Sequence, residues 1–386
     1  MQTESISEIK YIGVDDTTLE LFENQYPVPK GISYNSYVIL DKVVAVFDTV
    51  DPRGQEAWEK KLLEALQGRT VDFLVLQHLE PDHAGGIQRI LELFPRVVLV
   101  GNEKTFVMLS QFFVLPPQVN IMVVKEGDKL SLGNHILHFY MAPMVHWPEV
   151  MVTYESTEKV LFSADAFGKF GAISLTQEEG WACEARRYYF NIVGKYGAAV
   201  QILLKKLGAL DVQCVCPLHG PVIKEGLRNY INLYKVWSSY RPESTGVVIA
   251  YASIHGNTAK VAEKFAEILE EKGIRYRLHN LVRADLSQVV SDAFRYDKLV
   301  LAASSYDGGV FSVMEDFLHH LKSKAFQNRK IALIENGSWE PTAARTMRGI
   351  LDTMKDLEIL EPVVTILSTL KEDNMEQLEE LAEHLR

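Results

Sequence analysis

Six consecutive residues, His78-Leu79-Glu80-Pro81-Asp82-His83, place four side chains able to bind a metal at positions i, i+2, i+4 and i+5. They follow the apolar run Val71-Asp72-Phe73-Leu74-Val75-Leu76-Gln77, which reads as a buried strand. A loop leaving a strand end can bring such side chains to one point, whereas a regular helix with this spacing would spread them around its axis. Two imidazoles with two carboxylates favour iron or manganese over the nitrogen- and sulfur-rich sets that suit zinc. A polar turn with chance histidines would account for any two of these residues. Four in six point to a metal.

A dinuclear site needs further ligands, and the N-terminal half offers three. His146 lies in Pro143-Met-Val-His-Trp-Pro, Asp165 in Leu161-Phe-Ser-Ala-Asp-Ala-Phe-Gly and His219 in Cys216-Pro-Leu-His-Gly-Pro. Each sits at a strand-to-loop junction, where folds of mixed strands and helices carry their chemistry. A single His or Asp at such a turn is ordinarily a cap or a hydrogen-bonding group. Seven residues sharing one positional logic weigh against that reading. Other candidates are weaker. His135 and His138 flank a strand-like segment and are expected to face solvent. His319 and His320 are adjacent on a helix and point apart, and Cys214 and Cys216 read as packing residues on one strand face.

A second constellation lies in the C-terminal half. The strand Gly246-Val-Val-Ile-Ala-Tyr runs into Ala252-Ser253-Ile254-His255-Gly256-Asn257-Thr258 and then a helical segment from Ala259 to Lys272. Backbone N–H groups at a helix N-terminus, with hydroxyls nearby, suit a phosphate. The loop is neither a Walker loop nor a G-x-G-x-x-G loop; it looks like the phosphate loop of flavodoxins, which bind FMN. It departs from the commoner flavodoxin pattern at His255, where Thr is frequent, and this leaves Ser253 and Thr258 as the phosphate hydroxyls. Alone, the loop equally describes an N-cap turn. Two more loops reinforce it, Ser304-Ser305-Tyr306-Asp307-Gly308-Gly309 and Asn336-Gly337-Ser338-Trp339. Both follow strands, at the edge where the crevice of a doubly wound sheet opens. Each supplies an aromatic ring and flexible backbone suited to a flavin ring.

The elements that must position these groups divide the chain. Up to about residue 240 the pattern is strand-rich, with helical stretches at Gly54 to Leu66 and Gly86 to Leu93, a layered α/β arrangement. The polar, proline-containing segment Tyr240 to Thr245 reads as a linker. Beyond it, strand candidates at Gly246 to Tyr251, Arg275 to His279, Leu299 to Ala303, Ile331 to Ile334 and Val363 to Leu367 alternate with helices, and a charged helix closes the chain. That alternation implies a doubly wound parallel sheet. With 386 residues, 47% of them hydrophobic and 24% charged, the chain is an ordinary globular protein of two or three domains. A formal net charge of −11 argues against a broad nucleic-acid surface. Three cysteines in no framework spacing fit a reducing compartment, and no leader or membrane span is expected, so a cytoplasmic location is the expectation.

Taken together, His-x-Glu-x-Asp-His followed by His, Asp and His, then a flavodoxin-type loop set, resembles the flavodiiron proteins (A-type flavoproteins, oxygen or nitric oxide reductases), over essentially the whole chain. The resemblance implies a metallo-β-lactamase-like αββα domain at 1–242 and a flavodoxin-like, five-stranded, doubly wound domain at 246–386. Glu80 discriminates most, since the hydrolytic zinc branch of that fold normally has His there. Carried over, one iron is held by His78, Glu80 and His146 and the other by Asp82, His83 and His219, with Asp165 bridging. The position of His83 is uncoordinated in some members. FMN is placed among Ser253, Ile254, His255, Gly256, Asn257, Thr258, Ser305, Tyr306, Asp307, Gly308, Gly309, Asn336, Gly337, Ser338 and Trp339. Tyr26 and Trp147 become candidates beside the metal pocket, and Glu149 a residue to orient a ligand histidine.

Two ferrous ions and a reduced flavin store four electrons, matching reduction of O2 to two waters, while two electrons reduce two NO to N2O and water. The resemblance further implies a head-to-tail homodimer or dimer of dimers. No Cys-x-x-Cys pair follows residue 367, so no fused rubredoxin is expected and electrons would come from a separate donor, rubredoxin or a reductase. The competing expectation is a dizinc hydrolase of the metallo-β-lactamase fold with a flavodoxin-like appendage.

Overall fold

A computed structural model describes residues 8–176 and 180–386. Contacts divide it into two compact units. The first comprises the residues up to Tyr189 together with Ala198–Lys235, and the second Phe190–Gly197 with Val236–Arg386. The short stretch at 190–197 thus folds with the second unit, where Phe190 stacks on Phe294 at 4.2 Å and Asn191 donates to the Ser287 carbonyl. The second unit also begins before the linker expected at Tyr240, because the Trp237 indole is buried and bonds Glu243 at 2.8 Å.

Two large sheets, beside two short two-stranded pairs, build the first unit among the described residues. One orders Ile9–Tyr11, Tyr37–Leu40, Val44–Phe47, Phe73–Val75, Val98–Gly101 and Asn120–Val123. Its first three strands are antiparallel and the rest join in parallel. The other orders Lys129–Ser131, Ile136–Met141, Met151–Glu155, Val160–Phe162 and Cys214–Cys216, antiparallel except for the last pair. Alternating side chains from both sheets make one core. Tyr37, Phe47, Val75 and Val100 from the first meet Phe139, Met151, Phe162, Cys214 and Cys216 from the second, with Phe47 stacked on Phe162 at 3.9 Å. The cysteines are packing residues, as their spacing suggests.

The second unit is a parallel sheet in the order Tyr276–Asn280, Ser244–Ala252, Tyr296–Tyr306, Gln327–Asn336, covered by helices including Asn257–Glu271 and Glu372–His384. Near-continuous apolar runs such as Val247 to Tyr251 are buried on both faces, as parallel strands require. Two features go beyond the five strands expected. The fifth position is filled by two pieces, Lys355–Ile359 and Val364–Ile366, pairing with successive halves of Gln327–Asn336. A hairpin strand Gly309–Val310 folds back on Ser305 and Tyr306. Pro362, between the two pieces, has no N–H to give a ladder. Among the described residues no helix is long and apolar enough to cross a membrane.

Candidate metal centre and flavin edge

The strand Phe73–Val75 ends beneath a buried carboxylate. Asp48 accepts the backbone N–H of Gln77 at 2.8 Å and of His78 at 3.2 Å, fixing the path of the chain as it leaves the sheet. Burial pushes its carboxyl up to about 6. His78 to Glu80 then form the expected loop, but Pro81–Ala84 is a single helical turn with Pro at its first position, where its missing N–H costs nothing. This turn carries Asp82 and His83 inward; both are buried.

The seven candidate ligands converge as two groups: His78, Glu80, His146 and Asp165, and Asp82, His83 and His219. Asp165 joins them. Its Oδ2 lies 3.0 Å from His146 Nε2 and 3.3 Å from His78 Nε2, and its Oδ1 lies 3.3 Å from His83 Nε2 and 3.7 Å from His219 Nε2. Glu80 is 3.1 Å from His146 Nε2, and Asp82 is 3.4 Å from His219 Nε2. Two ligands on one ion, each about 2.0–2.2 Å from it, stand roughly 3.0–3.5 Å apart. All of these spacings fall in that range except Asp165 to His219, at 3.7 Å. Among the described residues both oxygens of Asp165 and of Asp82, both ring nitrogens of His83 and His146 Nε2 are buried without a hydrogen bond. Within each group every residue offers one ligand atom, and these atoms lie within 4.8 Å of one another. Buried polar groups left unsatisfied cost free energy unless something binds them, and the donor set suits a first-row metal with some hard character.

Electrostatics agree. Burial would raise the Asp165 carboxyl, but the imidazoles of His146 and His83 hold it well below the usual range. Burial would lower His146, but the carboxylates of Asp165 and Glu80 carry it to about 9. Outer partners fix the rings. His78 Nδ1 donates to Glu149 at 2.8 Å and His219 Nδ1 to the Ser33 carbonyl at 2.7 Å, which leaves Nε2 of each turned inward. The same Glu149 oxygen accepts the Leu79 N–H, and the Ser33 hydroxyl accepts the Gly220 N–H at 2.7 Å.

Trp147 packs its indole edge-on against His78, with centroids 5.1 Å apart, and near His146. Tyr26 is buried, on the hairpin Leu21–Phe22 and Tyr26–Pro27, with its ring 6.1 Å from Phe170. His135, expected to face solvent, is instead buried among carboxylates, while His138 is partly exposed and meets the Ser156 hydroxyl. Sequence reasoning missed Tyr188. It ends the helix Trp181–Tyr188, lies 5.5 Å from the His219 ring, and buries a hydroxyl with no partner among the described residues. Burial and the carboxylates of Asp165, Glu80 and Asp82 hold it firmly protonated. Nothing in its Tyr-Tyr-Phe context marks it out.

At the carboxyl edge of the second unit's sheet, the helix Asn257–Glu271 starts at Gly256, whose φ of +89° excludes most side-chain-bearing residues. No side chain caps this helix, so its first-turn N–H groups stay available to an anion. Ser253 Oγ accepts the Gly256 N–H, and Thr258 Oγ1 pairs with Ser304 Oγ at 2.8 Å, so Ser304 joins the loop set. Ser305 faces another way: its hydroxyl accepts the N–H groups of Thr342 and Ala343, at the start of the helix Ala343–Leu351. Ile254 and His255 are exposed, and Asp307 and Gly308 make the hairpin turn between Tyr306 and its partner Gly309. Asn336 donates to the Ser368 carbonyl and Ser338 pairs with the Ser368 hydroxyl, which steadies the loop through Gly337. Trp339 and Tyr306 are 91% and 51% exposed. Two uncovered aromatic rings beside an uncapped helix fit a planar, phosphate-bearing cofactor.

Family models match both units: the ODP family beta lactamase over residues 32–220 and a flavodoxin domain over 248–358. An anaerobic nitric oxide reductase flavorubredoxin of Aeromonas hydrophila is 28% identical over 365 residues, 92% of this chain and 73% of that protein. An uncharacterized protein of Methanocaldococcus jannaschii is 25% identical over 98% of this chain and 96% of its own. Among solved structures, rubredoxin oxygen:oxidoreductase from Desulfovibrio gigas superposes with a TM-score of 0.92 at 25% identity, covering 99% of this chain and 97% of that one. With a β-lactamase-like unit, a flavodoxin unit and these relatives, the chain belongs to the flavodiiron protein family.

Proposed function

We propose that the protein is a flavodiiron oxidoreductase that reduces O2 to water, NO to N2O, or both, at a non-haem diiron site supplied by FMN. The observation that carries this reading is Asp165, which turns one carboxylate oxygen to each of two groups of candidate ligands, with His146 Nε2, His83 and Asp82 unsatisfied among them. His78, Glu80 and His146 hold one iron; Asp82, His83 and His219 hold the other. Two ferrous ions there would supply two electrons and a Lewis-acid site for a diatomic gas, and a bound FMN two more electrons. The chain's own residues do the rest. Glu149 and Ser33 keep ligand rings in register, burial of His78, His83, Asp165 and His219 keeps bulk water out, and the Tyr188 hydroxyl is a donor for substrate oxygen. FMN lies at the edge formed by residues 253–258, 304–309 and 336–339, in a domain spanning 246–386.

The names of two relatives support the partners: one is titled for rubredoxin and oxygen, the other for nitric oxide. The protein takes electrons from a separate donor, rubredoxin or a reductase, acts as a head-to-tail homodimer or dimer of dimers, and works in the cytoplasm without nucleic acid or membrane. A dizinc hydrolase is disfavoured by the Glu80 carboxylate in the ligand set and by the flavodoxin unit. The test compares metal and flavin content with two activities. Two irons and one FMN per chain, with gas consumption and no thioester hydrolysis, are expected. Two zinc ions, no flavin and rapid thioester hydrolysis would overturn the reading.

A further inference from the structure

Far from the ligands in sequence, a third group gathers at one end of the paired sheets: Glu8, Asp41 and His135. Glu8 precedes the strand Ile9–Tyr11, and Asp41 sits in the turn between Tyr37–Leu40 and Val44–Phe47, all in the six-stranded sheet. His135 sits between Lys129–Ser131 and Ile136–Met141, and Glu158 between Met151–Glu155 and Val160–Phe162, all in the five-stranded sheet. The His135 ring is 3% exposed. Its Nδ1 is 2.8 Å from Asp41 Oδ2 and 3.3 Å from Glu8 Oε2, and its Nε2 is 3.2 Å from Glu158 Oε1. The His135 backbone N–H also bonds Asp41.

An ionised carboxylate only accepts hydrogen bonds. A ring nitrogen facing one must therefore carry a hydrogen, and a ring with carboxylates on both sides satisfies both only as an imidazolium. A metal between the same groups is disfavoured by distance. The 2.8 Å contact is that of a direct charge-assisted hydrogen bond, shorter than the 3.0–3.7 Å spacings with which Asp165 meets its histidines. We propose that His135 is a doubly protonated clasp that ties the two sheets of the first unit together at this edge, so that the unit loses stability as pH rises.

The other charged groups around His135 fit this, and Arg69 donates to the Asp41 carbonyl, a fixed positive charge beside that residue's carboxylate. Glu155 is buried behind the ring and accepts the N–H groups of Thr157 and Glu158. Lys42 gives its N–H to Asp41 Oδ1, with its stem close to Gly133, and Lys224 shares the surroundings of Cys214 with Glu158. Burial disfavours a charged His135, but Asp41 and Glu158 outweigh it and hold its pKa above the ordinary 6.5. Burial likewise works against the Asp41 carboxylate, yet the hydrogen bonds from His135 and Lys42 keep it below the usual range. For a group whose folded pKa is raised, the stabilisation is whole below the unfolded value and is lost as pH climbs through the folded one.

The experiment is an NMR titration of ring nitrogens in the full chain labelled at histidine, with H135Q assigning the signal and E158Q as a milder variant that keeps the shape. Both His135 nitrogens are expected to remain protonated at pH 7.5, E158Q to lower the ring's pKa, and the thermal midpoint gap between the native protein and H135Q to shrink from pH 6.5 upward. Should H135Q fail to fold, the native and E158Q titrations still decide. A ring carrying one proton at pH 7.5, a gap independent of pH, or a third tightly held metal per chain that H135Q removes would each overturn the proposal.

Discussion

Asp165 and its neighbours set the site's properties at the residue scale. A bridging carboxylate works only if the rings around it are held, and Glu149 holds His78 from behind at 2.8 Å. Replacing it with Gln keeps the shape but removes the charge that favours an inward-facing Nε2. Outer-shell partners of metal-bound histidines contribute about 10–100-fold in metal affinity. Glu149→Gln should therefore lose iron to a competing chelator at 10–100-fold lower chelator concentration, with the fold unchanged by circular dichroism. Tyr188→Phe separates binding from reaction. The hydroxyl has no partner among the described residues, so removing it should leave stability unchanged or slightly raised. If the hydroxyl bonds substrate oxygen, kcat for gas reduction should fall about tenfold, the effect of roughly 1.5 kcal/mol for one such bond, at unchanged iron content. Equal rates would remove Tyr188 from the reaction.

At the element scale, the strand-to-loop junction is the device both units use, and it explains what the sequence disclosed. Apolar runs ending in Gly, Pro, His or Asp marked the junctions at His78, Asp165, His219 and Gly256, because burial on both faces demands such runs and a sharp turn demands such ends. Less legible were contacts between distant segments. Ser33 reaches His219 across 186 positions and Asp41 reaches His135 across 94, and no local pattern announces either. The fifth position was half legible: Val363 to Leu367 reads as a strand after Pro362, whereas Lys355–Ile359 is a strand only through its pairing with residues 327–331. Gly256 offers a test. Nothing lies within 4 Å of an added Cβ, so the cost of Gly256→Ala is backbone strain at φ +89°, about 1–2 kcal/mol. The second unit should lose about that much stability in a denaturant titration, and flavin affinity should fall about tenfold, read by fluorescence quenching of added FMN.

Across the whole molecule, metal binding and folding of the site are linked through protons. In the metal-free chain the raised pKa of His146, about 9, means that its proton is still bound at pH 7. By the same sign rule, its contribution to the metal-free fold is whole below 6.5 and fades as pH rises through about 9. Iron must displace that proton, so loading at pH 7 should release protons and tighten as pH rises toward 9. Calorimetry in buffers of different ionisation enthalpy reads the number released, and an enthalpy independent of buffer would contradict this arrangement.

Two irons and one FMN give one chain the four electrons that take one O2 to two waters, the same store that would take four NO to two N2O. A single-turnover titration tests it: protein loaded with two irons and one FMN is fully reduced without air and mixed with measured O2. With O2 as substrate, one O2 should be consumed per chain, with complete oxidation of flavin and iron and no hydrogen peroxide. Two O2 per chain with peroxide released, or flavin oxidation that proceeds equally in Asp165→Asn protein stripped of iron, would contradict it.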